Sequence, residues 1–190
     1  MSKLSSAHGT RRELLRGVFG AAAILVPRPA WAFTEECPET EDSGSGPNYK
    51  TGAPERAVFV EKEMSGRRLA VFGRVVGADC RPIPGAVLDI WQANDQGHYD
   101  LEGFKLRGRL ATDKSANYRL ETILPGRYGP PAHIHVKVSA PGSPLLTTQF
   151  YFAGYSFRDG EKAHPTLIAK LEDGPGGKKI SNFNFVLKKL

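Results

Sequence analysis

From Arg68 onward the chain alternates apolar and polar residues with a period of two. Leu69, Val71 and Gly73 lead into Val75 and Val76, a turn follows at Gly77-Ala78-Asp79, and Pro82-Ile83-Pro84-Gly85 precedes Ala86-Val87-Leu88-Asp89-Ile90-Trp91. Further short runs come at Asn117–Ile123, His133–Val138, Leu146–Phe152 and Phe183–Leu187. Runs rich in β-branched and aromatic residues, cut by Gly, Pro and Asp turns at roughly ten-residue spacing, predict the strands of an all-β sandwich with long loops. Glu161 to Leu171 leaves room for at most a short surface helix, limited by Pro165 and by Gly174-Pro175-Gly176-Gly177. Residues 38–57 hold Pro, Glu, Ser, Gly and Asn with little periodicity, so 33–67 reads as an extended N-terminal arm and 68–190 as the sandwich domain. The chain shows no internal repeat.

The first 32 residues follow neither pattern. An apolar run from Leu14 to Val26 lies between basic residues and the small-x-small site Ala30-Trp31-Ala32, as in an export signal. The pair Arg11-Arg12 marks it as twin-arginine-type, which predicts a periplasmic or secreted product. The apolar run is shorter than the ~20 residues a membrane-spanning helix needs, so no membrane association is expected after processing. This leader also alters the meaning of the charge. The 190-residue chain carries +6, and Lys3, Arg11, Arg12, Arg16 and Arg28 against Glu13 supply four of those six charges. The remainder is close to neutral, and with it goes the case for a nucleic-acid partner.

An exported chain meets an oxidising compartment. Its two cysteines, Cys37 and Cys80, are therefore expected to be bonded to each other, closing a loop worth about 3–4 kcal/mol. No C-x-x-C spacing suggests a zinc or redox site.

Candidate chemistry centres on His133-Ile134-His135. In a strand these two imidazoles share a face with Cα atoms roughly 6.5–7 Å apart, within reach of one metal ion. Taken alone, the pair reads more readily as two exposed or hydrogen-bonded histidines than as ligands. No Asp or Glu lies between Tyr128 and Asp159 to complete a facial triad, and His98 and His164 have no spacing that recommends them as a third zinc ligand. Tyr99 and Tyr128 are the other donors at hand. Phenolate is a hard anion suited to ferric iron, and a bound cation offsets the usual cost of ionising a phenol.

The residues from Gly73 to Tyr99, including Pro82-Ile83-Pro84-Gly85-Ala86-Val87 and Ile90-Trp91-Gln92-Ala93-Asn94, closely resemble the intradiol ring-cleavage dioxygenases. So do Thr112-Asp113 with Tyr118, Thr122-Ile123-x-Pro125-Gly126-x-Tyr128, Ala132-His133-Ile134-His135 and Thr148-Gln149-Phe150-Tyr151-Phe152. The resemblance covers about residues 68–187. It implies a prealbumin-like β-sandwich and one non-haem Fe(III) per chain, with Tyr99, Tyr128, His133 and His135 as ligands. It also implies a catechol-type aromatic and O2 as substrates, insertion of O2 between the two hydroxylated carbons, and a cis,cis-muconate-type dicarboxylate product. Tyr128 corresponds to the ligand that leaves as substrate binds and takes up its proton, and Gln149 to a polar position near the substrate. Members of this family usually carry an arginine shortly before the histidine pair, where Gly129-Pro130-Pro131-Ala132 stands here. Arg127 is the first candidate to replace that cation, and Arg109 a weaker one. The competing readings are a non-catalytic prealbumin-like binding module and an inactive relative of the dioxygenases. A homo-oligomer is compatible with the sequence.

Overall fold

The computed structural model describes residues 37–127, 129–154 and 162–188. The proposed leader, the first residues of the arm, Glu161 and Tyr128 lie outside the described residues. The described part is all β, with strands β1 (Arg68–Gly77), β2 (Val87–Trp91), β3 (Arg107–Ala111), β4 (Asn117–Ile123) and β5 (His133–Ser139). Then follow β6 (Leu146–Phe152), β7 (Ile168–Asp173), β8 (Lys179–Asn182) and β9 (Phe185–Leu187). The hydrogen-bonded order is β3-β2-β5-β6-β7-β8-β1-β4, with β9 added to β1. β7 joins the β3-β2-β5-β6 half to the β8-β1-β4 half, and the core draws on both. Leu69 and Val71 of β1, Leu120 of β4, Leu88 and Ile90 of β2, Ile134, Val136 and Val138 of β5, and Phe150 and Phe152 of β6 belong to one buried cluster.

Within 162–171, where the sequence leaves room for at most a short surface helix, Pro165–Leu167 forms a 3₁₀ turn and Ile168–Asp173 is strand β7. The cause is tertiary. Ala169 alternates inward, and β7 pairs with β6 on one side and β8 on the other, which outweighs weak local helix propensity.

Two motif residues turn out to hold the sandwich closed. Gly73 faces Tyr118 across the β1–β4 ladder, and a Cβ on Gly73 would fall 1.8 Å from the Phe183 carbonyl oxygen. Without that Cβ, the Phe183 carbonyl enters the interior and accepts a 2.7 Å bond from the buried Tyr118 hydroxyl. The Cys37–Cys80 disulfide is present, with Cα atoms 5.3 Å apart, and ties the start of the arm to the turn after β1. The arm then runs along β6. Gly44 N–H donates to Thr147 O, the Thr148 hydroxyl to Glu41 O, and Gln149 N–H to Ser43 Oγ.

Candidate metal centre

β5 is buried on both faces, and its period of two divides the labour. Ile134, Val136 and Val138 point into the core, so His133 and His135 point to the opposite side of the sheet. That outer face would ordinarily meet water. Here the arm covers it, leaving His133 2% and His135 1% exposed. Gly46, with φ of +59°, lies so close that a Cβ there would be 3.0 Å from His135 Cε1. On the other side the His135 ring stacks on Trp91, its cross-strand partner, with centroids 4.8 Å apart and planes 4° from parallel. Tyr49 of the arm packs edge-on against Trp91 at 4.9 Å.

The two Nε2 atoms stand 3.0 Å apart. His133 Nδ1 donates to the Pro131 carbonyl at 2.6 Å, which fixes its proton on Nδ1 and leaves an Nε2 lone pair facing His135. The Gly-Pro-Pro-Ala stretch that replaces the expected arginine therefore supplies the carbonyl that sets this tautomer. Burial lowers the pKa of both histidines. His135 falls to about 3, first through loss of water, then through His133 and the nearby Arg107 cation. Both rings are thus neutral at neutral pH, the form that binds metals. Two ligands bonded at about 2.1 Å and about 90° to one ion stand about 3.0 Å apart, so this spacing suits adjacent positions on a shared cation.

Tyr99 is held on the loop after β2. Asn94 Oδ1 accepts from the backbone of Gln96 and His98, and the Asp100 carboxylate accepts from the N–H groups of Glu102, Gly103 and Lys105. Its ring centroid lies 6.1 Å from that of His135. Gly126 N–H donates to the Asn94 carbonyl at 2.7 Å, and a Cβ on Gly126 would come within 2.3 Å of the Asp95 carbonyl oxygen. The segment leading to Tyr128 thus packs on the loop that carries Tyr99.

Of the sequence-predicted site residues, Tyr99, His133 and His135 come together, and Gln149 joins them. It faces His135 across the β5–β6 ladder, and its side-chain amide donates to the Tyr151 hydroxyl. Tyr128 lies outside the described residues. Arg127 is exposed on the segment just before it, and Arg109 is exposed two residues along β3 from the site. His98 is exposed, and His164 caps the 3₁₀ turn. Among the described residues no third His, Cys, Asp or Glu joins the pair, and the protein donor beside it there is the Tyr99 phenol.

Sequence reasoning missed Arg107. It is 1% exposed, pairs in register with Trp91, and places its guanidinium carbon 5.9 Å from the Tyr99 ring centroid. Burial lowers its pKa, against the opposing influence of Asp100, Tyr99 and Asp89. The signal available was its position: the β3 residue opposite Trp91, in an Arg-x-Arg alternation whose intervening Gly108 faces Phe59 in the core.

Comparison with known proteins agrees with this arrangement. A dioxygenase family model matches residues 45–189. A 6-chlorohydroxyquinol 1,2-dioxygenase of Cupriavidus pinatubonensis is 32% identical over 92% of this chain and 72% of its own length. A catechol 1,2-dioxygenase of Acinetobacter baylyi is 34% identical over 64% of this chain, which spans about half (49%) of that relative. Among solved structures, the dioxygenase domain of a carbohydrate-binding fusion protein from Streptomyces sp. SirexAA-E superposes with a TM-score of 0.75 at 40% identity, over 80% of this chain and 100% of that one. The 3-chlorocatechol 1,2-dioxygenase of Rhodococcus opacus gives 0.73 at 27% identity, over 79% and 73%. With the family model spanning nearly the whole sandwich and the paired histidines in place at its face, the chain belongs to the intradiol ring-cleavage dioxygenase family.

Proposed function

We propose that this protein is a mononuclear ferric dioxygenase that opens catechol-type rings between their two hydroxyl-bearing carbons, yielding a cis,cis-muconate-type dicarboxylate. The observation that carries this reading is the pair of neutral imidazoles with Nε2 atoms 3.0 Å apart, one tautomer fixed by Pro131, beside Tyr99. His133, His135 and Tyr99 would hold the ion, with Tyr128 as the fourth ligand by family resemblance. Bound there, ferric iron supplies a Lewis acid that draws electron density from a chelated catecholate and makes its ring reactive toward O2.

The chain's own residues manage protons and water. Burial keeps both histidines neutral, and the Pro131 carbonyl holds the His133 proton on Nδ1, away from the site. By the family resemblance, Tyr128 Oη would take up a catechol proton. Trp91 stacks on the His135 ring and Gly46 closes on its Cε1 edge, so the ring keeps its orientation. Gln149, bonded to Tyr151 and opposite His135, would orient the substrate. The protein is further proposed to be exported by the twin-arginine route, which the Cys37–Cys80 disulfide supports.

The test is oxygen uptake by the iron-loaded protein with catechol and hydroxyquinol, and mass spectrometry of the product formed under ¹⁸O₂. The expected result is a burgundy protein, consumption of one O2 per ring and a dicarboxylate carrying both labelled atoms. A coloured, iron-replete protein that consumes no O2 with any catechol identifies an inactive relative and overturns the proposal.

A further inference from the structure

Arg107 is the only arginine or lysine among the described residues that is fully buried, and no described carboxylate lies within ion-pair distance of it. Its donors go to two main-chain carbonyls instead. Nε and Nη2 both reach Asp100 O, at 3.1 and 2.9 Å, and Nη1 reaches Asn48 O at 2.7 Å. Asp100 directly follows Tyr99. Asn48, at φ of +70°, is the bend of the arm two residues beyond Gly46, which presses on His135. One guanidinium therefore joins the loop that carries a tyrosine to the strap that covers a histidine, and its own charge faces the Tyr99 ring. The charges of Asp100 and Asp89 act on it from beyond ion-pair distance and offset part of the cost of burying it. The Tyr99 ring is the aromatic face its guanidinium meets.

Building on the ferric reading above, we propose that Arg107 is a positioning residue of the metal centre. Its fork fixes Tyr99 relative to His135, and its charge stands 5.9 Å from the Tyr99 ring centroid, where it acts on the electrons of that ring once it is a ligand. A lysine keeps the charge but presents a point donor in place of the planar fork, so it cannot hold both carbonyls in the same geometry. A methionine of similar length keeps the volume and loses both.

The experiment compares the wild type with Arg107→Lys and Arg107→Met, each titrated with ferric iron and followed by the visible tyrosinate-to-iron charge-transfer band. A residue that orients a ligand lowers metal affinity by roughly 10–100-fold when removed, and this is the loss expected for Arg107→Met. The Met variant's band also moves to longer wavelength, because a nearby cation holds the phenolate electrons more tightly. Arg107→Lys loses affinity but keeps the wild-type band position. A purely structural clamp leaves the band where it is in every variant that binds iron, so an unmoved band in Arg107→Met overturns the inference, and so does unchanged iron affinity in that variant. A wild type that binds no iron overturns the ferric reading and this inference with it. Hydrogen exchange in the wild type provides a measurement that needs no variant: iron loading slows amides of both 45–50 and 98–106, and protection confined to 98–106 overturns the coupling.

Discussion

Replacing both Cys37 and Cys80 by alanine removes a bridge between positions 43 residues apart. In the chain-entropy treatment, a loop of that size contributes about 4 kcal/mol by restricting the unfolded chain. The folded state has little to lose in return, because the arm has other anchors. Cys37 N–H donates to Ala78 O, Thr40 N–H to Val186 O, and Val186 N–H to the Thr40 hydroxyl, at 2.9, 3.0 and 2.9 Å respectively. The effect should therefore appear almost wholly as altered unfolded-state entropy. For a domain of roughly 150 residues each kcal/mol moves the midpoint by about 2–4 °C, so the double variant is expected to melt about 8–16 °C lower. Scanning calorimetry of metal-free wild type and variant measures this directly. A decrease below about 2 °C would refute the reasoning, since the bridge would then be restricting a chain already confined there when unfolded. The iron-loaded variant should keep its charge-transfer spectrum, because Gly46 and Asn48 are held downstream of Cys37 by the bonds to β6 and to Arg107.

Two further predictions concern buried polar groups. The metal-free protein should lose stability as pH falls below about 6.5, because His135 binds a proton readily when unfolded but only near pH 3 when folded. The unfolded state holds more protons throughout that window, so stability rises with pH, and the loss reaches about 2–3 kcal/mol by pH 4.5. Urea titrations from pH 7 to 4.5 should show this slope, with His135→Gln flattening it; equal slopes in the two proteins would exclude His135 as its source. Tyr118→Phe should cost about 1–3 kcal/mol by leaving the buried Phe183 carbonyl unpaired, measured by the same titrations at pH 7, where a loss under 0.5 kcal/mol would show that the carbonyl finds water.

The strands with clean alternation, β1, β2, β4, β5 and β6, are legible in the sequence because each sets apolar side chains against a common core at a period of two. β3 and β8 are not. Arg107-Gly-Arg-Leu-Ala and Lys179-Ile-Ser-Asn carry few β-branched residues and owe their conformation to the ladders on their neighbours. β7 reads as a helix end locally and becomes a strand because β6 and β8 need a partner between them. At the site, His133 and His135 announce themselves by spacing, and Tyr99 by its place in a motif. Arg107 does not. Its importance comes from contacts with Asp100 and Asn48, and nothing local separates it from the exposed Arg109 two residues away. The role of the arm was also hidden, since Ser, Gly, Pro and Asn read as a loop whether they face solvent or seal a histidine.

β5 serves two masters along a single stretch of backbone: its even-numbered side chains complete the core while its odd-numbered ones present the imidazoles. A single residue inserted or deleted between Ala132 and Val138 exchanges these duties beyond the point of change, aiming a histidine at Phe150 or an isoleucine at Tyr99. Such frameshifts of the pleat damage folding and chemistry together, with no variant in which one fails and the other survives. Insertions at the Pro141–Pro144 turn, by contrast, leave the direction of His133 and His135 unchanged, because the count of residues there has no bearing on the pleat of β5 before it.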